Sequence, residues 1–331
     1  MSGDRSRSGE GGGGGSLADV AGIRVGHAGR AGDGWLTGVT VVLPPPGTRG
    51  AVDARGGATC TSETDALGSG SVNAWPTALM LTGGSALGLP AVSGVHRWCL
   101  EHGRGFPIGP LPGQVVPVVP AAGIFDLGRG GRADAVPDAA LAYAAAQDAS
   151  GPRGVLARRG RIGAGLGARV DDEGGLGGIG AASVRVPIEG AAGGATVAAL
   201  AVVNAFGRPD VPYAPSPSGT RAGGGPLNTT LVVVATDADV GRGMLTRLAT
   251  MGHDGMARAL DPVHTLADGD VVFALSTGAV ALPPEGGGFA GGRAWRAAHL
   301  ALQAAAARVC AAAIRDGVTA AARTADGARP V

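Results

Sequence analysis

The stretch Thr230–Ala235 (TLVVVA) is apolar without alternation, and a strand of that kind has to be covered on both faces. A second long run, Ala195–Phe206 (ATVAALAVVNAF), makes the same demand. Strands hydrophobic on both sides exclude a sheet with one wet face. They call for sheets covered by helices. Aromatic residues are only 3% of the 331-residue chain, so small aliphatic side chains have to fill the core. The 63 glycines mostly separate apolar runs, as they would between strands and helices. The fold class is therefore α/β (α+β) in one large domain. No internal repeat and no domain linker is visible.

Charge excludes some chemistry. The formal net charge is +1, and no basic run is interleaved with aromatics, so no nucleic-acid partner is expected. The 27 Lys and Arg positions are all Arg. Without Lys there is no P-loop lysine, Schiff base or Ser-Lys dyad. Cys60, Cys99 and Cys310 lie far apart and read as buried free thiols in a reducing cytoplasm. His27, His253 and His264 lack metal-ligand spacing, and neither Asp254 nor Asp261 supplies it, so no metal is expected. Gly163–Gly167 (GAGLG) lacks the full dinucleotide-loop spacing, and no cofactor is expected. No apolar run is long and uncharged enough for a membrane helix.

Along the chain, residues 1–16 are low-complexity and expected to be a disordered tail. Short strands are expected near Val20–His27, at Gly38–Leu43 and within Gly47–Gly57. Further strands are expected at Val115–Ala122 and Asp270–Ser276. Helices are expected over Ser85–His102, with Leu87, Val92, Val95, Trp98 and Cys99 on the inner face, and over Asp138–Ala149, Val240–Leu260 and Ala290–Arg315. Gly160–Gly180 reads as loops and short strands. Arg208–Gly225 is rich in Pro, Gly and Ser and reads as a mobile processing loop.

That loop runs into Gly223-Gly224-Gly225-Pro226-Leu227-Asn228-Thr229-Thr230 and then the central strand. Locally this is compatible with a plain strand start after a turn. It is also compatible with a chain that cuts itself between Asn228 and Thr229. A Thr hydroxyl is a weak nucleophile and needs a base. A Thr at a new N-terminus carries one in its α-amine, whose unperturbed pKa is about 7.7–8.0. Asn204 ends an apolar strand, Asp268 and Asp270 sit two apart before another, and Thr82-Gly83-Gly84-Ser85 precedes a helix. Each also has a purely structural reading: a strand terminator, two turn carboxylates, a helix cap.

Eight segments, in order, resemble the DmpA-type L-aminopeptidase/D-esterase (β-peptidyl aminopeptidase) family. They are DVAGIRVGH (Asp19–His27), LTGGSALGL (Leu81–Leu89), VPAAGIFDLG (Val119–Gly128), GAGLGA (Gly163–Ala168), VVNAFG (Val202–Gly207), NTTLVVVATDA (Asn228–Ala238), the His253–Thr265 stretch and DGDVVFALSTG (Asp268–Gly278). The resemblance implies a four-layer αββα fold like that of N-terminal nucleophile hydrolases. It implies autocleavage into an α chain 1–228 and a β chain 229–331, a tetramer of αβ units, and a small peptide or amide substrate. It assigns the nucleophile to Thr229, an oxyanion donor to Asn204, and charge balance of the new amine to Asp268 and Asp270. Gly83, Gly84 and Ser85 would bind substrate through helix N-terminal N–H groups. Some members add a Tyr hydroxyl to the oxyanion hole from the region that here reads Gly123-Ile124-Phe125-Asp126, and Phe125 has none. An acyltransferase of the ornithine-acetyltransferase kind and a non-catalytic relative are the alternatives.

Overall fold

The computed structural model describes residues 14–72, 75–109, 113–171, 174–211, 228–286 and 292–325. Two five-stranded sheets form its centre. The strands are β1 (Arg24–Gly32), β2 (Trp35–Leu43), β3 (Arg49–Ala54), β4 (Thr61–Ser62), β5 (Leu79–Thr82), β6 (Ala121–Gly123), β7 (Gly178–Ile188), β8 (Ala191–Asn204), β9 (Thr229–Ala238) and β10 (Val271–Val280). One sheet runs β1-β2-β5-β6-β4 and the other β7-β8-β9-β10-β3. Helices α1 (Val92–Glu101) and α2 (Ala139–Ser150) cover the first sheet. Helices α3 (Arg242–Ala257) and α4 (Arg293–Ala325) cover the second.

The period-two geometry of a strand sorts each apolar run between two cores. In β9, Leu231, Val233 and Ala235 enter the core between the sheets, while Val232 and Val234 enter the core beneath α3 and α4. In β10, Val271, Phe273 and Leu275 face the other sheet, while Val272 and Ala274 face the helices. The same division in β8 sends Ala198, Leu200 and Val202 inward and Val197, Ala199, Ala201 and Val203 outward. Burying each larger aliphatic or Phe side chain contributes about 1.5–3 kcal/mol. Strands covered on both faces are what unbroken apolar runs require, and the two packed sheets between helices make the αββα arrangement that the resemblance implies.

Close layering explains some of the glycine. Gly180 of β7 lies directly under the backbone of α4 at Ala313 and Gly317, where a Cβ would overlap main-chain atoms. Gly26 of β1 meets α2 at Ala145 and Ala149 in the same way. Helix α4 is long and apolar enough to cross a bilayer by composition alone, but much of it is buried against β7, β8 and α3.

Several expectations shift. The Ser85–His102 helix is broken: a short helical turn, Ser85–Gly88, and a 3-10 turn, Leu89–Ala91, precede α1. Pro90 lacks the N–H needed to continue the ladder, and Leu87, expected inside, is 62% exposed. Strand β1 runs through His27 to Gly32 instead of stopping there. The long strand β7 was not foreseen, because its Gly-rich start and its Arg185 and Pro187 blur the apolar pattern. The tail is shorter than expected. Ser16 is buried, and its hydroxyl accepts from Ala18 N at 3.2 Å in a capping box with Asp19. The tail before Gly14 and the processing loop beyond Val211 lie outside the described residues.

Candidate active site

Thr229 opens β9, the middle strand of its sheet, and pairs across the ladder with Asn204, the last residue of β8. Both are buried, at 3% and 0% exposure. Two long apolar strands that end at the same level thus bring a hydroxyl and an amide side by side. On the other side of β9, the chain before β10 forms a bridge between Asn228 and Asp268. Asn228 N–H donates to Ala267 O at 2.9 Å, and Gly269 N–H donates to Asn228 O at 2.8 Å. The Thr229 hydroxyl donates to that same carbonyl oxygen at 2.6 Å. Gly269 is pressed so closely here that a Cβ would lie 2.6 Å from Thr229 Oγ1 and 2.6 Å from Ala58 O.

Asp268 and Asp270 flank Gly269 and are both buried. Thr265 donates to Asp268 Oδ2 from its hydroxyl at 2.6 Å and its N–H at 3.0 Å. Burial, with the neighbouring Asp270 charge, pushes the Asp268 carboxyl above the usual range, and the hydrogen bonds from Thr265 and Phe206 oppose this. Asp270 Oδ1 accepts from Thr230 N–H at 2.8 Å, which ties it to the residue after Thr229. Its Oδ2 accepts from His264, at 3.0 Å from the backbone N–H and at 2.8 Å from Nδ1.

The Asn204 amide has a determined orientation. Its Oδ1 accepts from the Arg129 guanidinium and from Arg169 N–H at 3.1 Å. Arg129 is itself held by Gly167 O at 2.8 Å. Two donors on one atom make that atom the oxygen, so Nδ2 points away. Nδ2 is buried and has no hydrogen-bond partner among the described residues. A buried amide N–H₂ left unpaired costs about 1–3 kcal/mol unless something supplies an acceptor.

Gly83, Gly84 and Ser85 do not serve as expected. Gly83 N–H donates to Gly38 O at 2.9 Å and Ser85 N–H to Ile124 O at 2.9 Å. Gly84 N–H donates to Asp126 Oδ1 at 2.7 Å. All three donors are spent inside the fold and none remains for a substrate carbonyl. The cap of the short turn is Gly84, in the left-handed region at φ 78°, and not Ser85. The Ser85 hydroxyl instead bonds the half-buried Cys60 thiol.

Arg129 and Gly269 were not singled out from the sequence, and His264 was weighed only as a metal ligand. Arg129 lies in a Gly-Arg stretch with no motif, and its role exists only through packing onto Asn204. Gly269 was read as the middle of a turn.

His253 and His27 are packed inside the fold, away from Thr229's hydrogen-bond partners. His253 sits under β3, with Nε2 donating to Asp53 O at 2.9 Å, and its ring meets His264 edge-on at 4.7 Å. Burial holds His253 down at about 4. Burial, helped by the Arg158 charge, holds His27 at about 3. Both side chains bind protons near pH 6.5 once unfolded. Between pH 6.5 and about 4 the unfolded chain therefore holds more protons, and stability falls as pH falls through that window. Each histidine steepens the slope by up to about 1.4 kcal/mol per pH unit. His253→Gln retains an amide donor for Asp53 O, and urea midpoints at pH 7, 5 and 4 should show a shallower acid loss than in the parent chain.

The comparisons with known proteins agree on the class of this site. The peptidase family S58 model matches residues 15–329. An uncharacterized aminopeptidase of Mycobacterium tuberculosis is 44% identical over 305 residues, covering 82% of this chain and 84% of the relative. The Burkholderia sp. beta-aminopeptidase structure superposes with a TM-score of 0.67 at 26% identity, over 91% of this chain and 85% of that one. The L-aminopeptidase D-Ala-esterase/amidase of Ochrobactrum anthropi, described as a variant of the Ntn-hydrolase fold, superposes with a TM-score of 0.67 at 22% identity, over 91% and 85%. The chain belongs to peptidase family S58, with the αββα fold of the Ntn hydrolases, and is a hydrolase of the aminopeptidase and amidase class.

Proposed function

We propose that this hydrolase cuts itself between Asn228 and Thr229 and then uses Thr229 as an N-terminal nucleophile on small peptides or amides. The observation that carries this reading is the convergence of the Thr229 hydroxyl and Gly269 N–H on the Asn228 carbonyl oxygen, at 2.6 and 2.8 Å. In the continuous chain the Thr229 nitrogen is an amide and cannot act as a base. The segment Asp268–Asp270 lies against Thr229, and the Asp268 carboxylate, made more basic by burial and by Asp270, is the group suited to take the hydroxyl proton. Oγ1 then bonds to the Asn228 carbonyl carbon while Gly269 N–H steadies the developing oxyanion. The C–N bond breaks, the Thr229 nitrogen gains the proton, and water hydrolyses the resulting ester.

The second reaction uses the products of the first. The free α-amine of Thr229 is now the local base and takes the Oγ1 proton as the hydroxyl attacks a substrate carbonyl. The Asn204 Nδ2 group, unpaired and held from behind by Arg129, donates to the oxyanion. The departing amine takes the proton, and water resolves the acyl-enzyme. Asp270 keeps the start of β9 in register through Thr230 N–H and contributes negative charge beside the new ammonium. A denaturing gel with N-terminal sequencing tests the reading: two bands are expected, the smaller beginning TTLVVVATDA. A single intact band from active protein would overturn it.

A further inference from the structure

Two consecutive residues in the turn between α3 and β10 hold the two carboxylates beside Thr229. Thr265 holds Asp268 Oδ2 through its hydroxyl and its N–H. His264 holds Asp270 Oδ2 through its N–H at 3.0 Å and its ring Nδ1 at 2.8 Å. The His264 backbone lies in the left-handed region, at φ 57°. Residues other than Gly reach that region at a cost, His and Asn more often than most. A side chain kept at such a position beside a site points to a task for that side chain.

The ring is committed through one nitrogen only. An ionised carboxylate can accept but not donate, so Nδ1 carries the proton shared with Asp270. Nε2, on the far side of the ring, is buried and has no hydrogen-bond partner among the described residues. The neighbour there is His253, which meets the ring edge-on. An imidazole with a buried, unpaired nitrogen is a poor choice for filling a turn, because the unmade hydrogen bond costs stability. The Nδ1 contact is what the ring contributes.

That contact completes the fixing of Asp270. Its Oδ1 is held by Thr230 N–H, and its Oδ2 by His264, so both oxygens have set directions. Two carboxylates buried side by side compete for a proton, and the one with more donors keeps its charge. Burial first, and then the Asp270 charge, raise the Asp268 carboxyl. We infer that His264 is a positioning residue for both reactions: its Nδ1–H fixes the Asp270 carboxylate, and Asp270 in turn sets the charge beside Asp268 and beside the new amine of Thr229. The inference rests on the self-processing hydrolase reading above.

The test uses the full chain and the variants H264G and H264N. Gly accepts the left-handed backbone without strain, so H264G removes the ring and leaves the turn at ease. Asn also tolerates that backbone, and its amide nitrogen, bonded to Cγ, stands where Nδ1 stood. Self-cleavage is timed on denaturing gels, and kcat and KM of the processed chains are measured on L-alaninamide and β-alaninamide. H264G is expected to split about tenfold more slowly and to lose about 10- to 100-fold in kcat with KM within about twofold, as for one charge-assisted hydrogen bond. H264N is expected to recover both rates to within about threefold of the parent. An H264G chain that splits and turns over like the parent would show that only the turn matters, and would overturn the inference. An H264N chain no better than H264G overturns it as well, as does a loss carried by KM alone. Where the parent splits but hydrolyses neither amide, the cleavage rates of the three chains decide by the same comparison. A parent chain that does not split removes the reading on which the inference rests.

Discussion

Thr229→Ala should leave one uncut polypeptide and no detectable turnover. The side chain is buried at the first position of β9, and Ala is tolerated there because the strand is held by its ladders to β8 and β10 and by both cores. The folding cost is one hydroxyl hydrogen bond, about 1 kcal/mol. The chemical cost is the nucleophile for both reactions. Losing a group that acts as part of a catalytic unit lowers kcat by about 10³-fold or more, and here self-processing fails as well. Thr229→Ser keeps the hydroxyl and should still split, more slowly, because Ser lacks the β-methyl that restricts χ1. Circular dichroism, a denaturing gel and amidase assays on the three proteins decide the matter. A Thr229→Ala chain that splits at the same bond would exclude Thr229 as the nucleophile.

Asn204→Asp should separate binding from catalysis more sharply than any truncation. The aspartate retains an oxygen where Asn204 Oδ1 accepts from Arg129 and from Arg169 N–H, so the anchoring contacts survive. What changes is the other atom: a buried N–H₂ donor becomes an oxygen facing the developing oxyanion. Removing one such donor costs about 10²–10³-fold in kcat, and placing negative charge there adds repulsion. KM should move little, because the interaction belongs to the transition state. A variant with unchanged kcat would remove Asn204 from the oxyanion site. Self-processing is read on the same gel. If the Gly269 N–H suffices for that step, Asn204→Asp should still split while turning over poorly.

Arg129 marks where sequence reasoning stops. It sits among glycines with no periodicity or spacing to single it out, and its target, Asn204 Oδ1, is 75 residues away along the chain. The same holds for Gly269, whose meaning depends on Ala58 and Thr229 pressing on it from two other segments. Asp268 and Asp270 were legible as a pair, but their division of labour was not. One is bound within its own turn by Thr265 and the other reaches Thr230 and His264. At Gly83-Gly84-Ser85 the motif was legible and its use was misread, since free N–H groups at a helix start can be counted from sequence but not the carbonyls and carboxylate that consume them.

The amino-acid sequence determined that the central strands are covered on both faces, and the position of the hydroxyl. Runs apolar at every residue admit only strands covered on both faces, and a Gly/Pro-rich loop before Asn228-Thr229 places Thr229 at the head of such a strand. Those are properties of neighbouring residues, set by period and by turn chemistry. The tertiary structure decided which donors and charges are free. Asn204 Nδ2 is unspent because Arg129 and Arg169 occupy the oxygen beside it. The Gly83–Ser85 donors are spent because Gly38, Ile124 and Asp126 reach them first. A hydrogen-bonding group acts only through the capacity its fold leaves over, and that remainder depends on atoms the chain brings in from elsewhere.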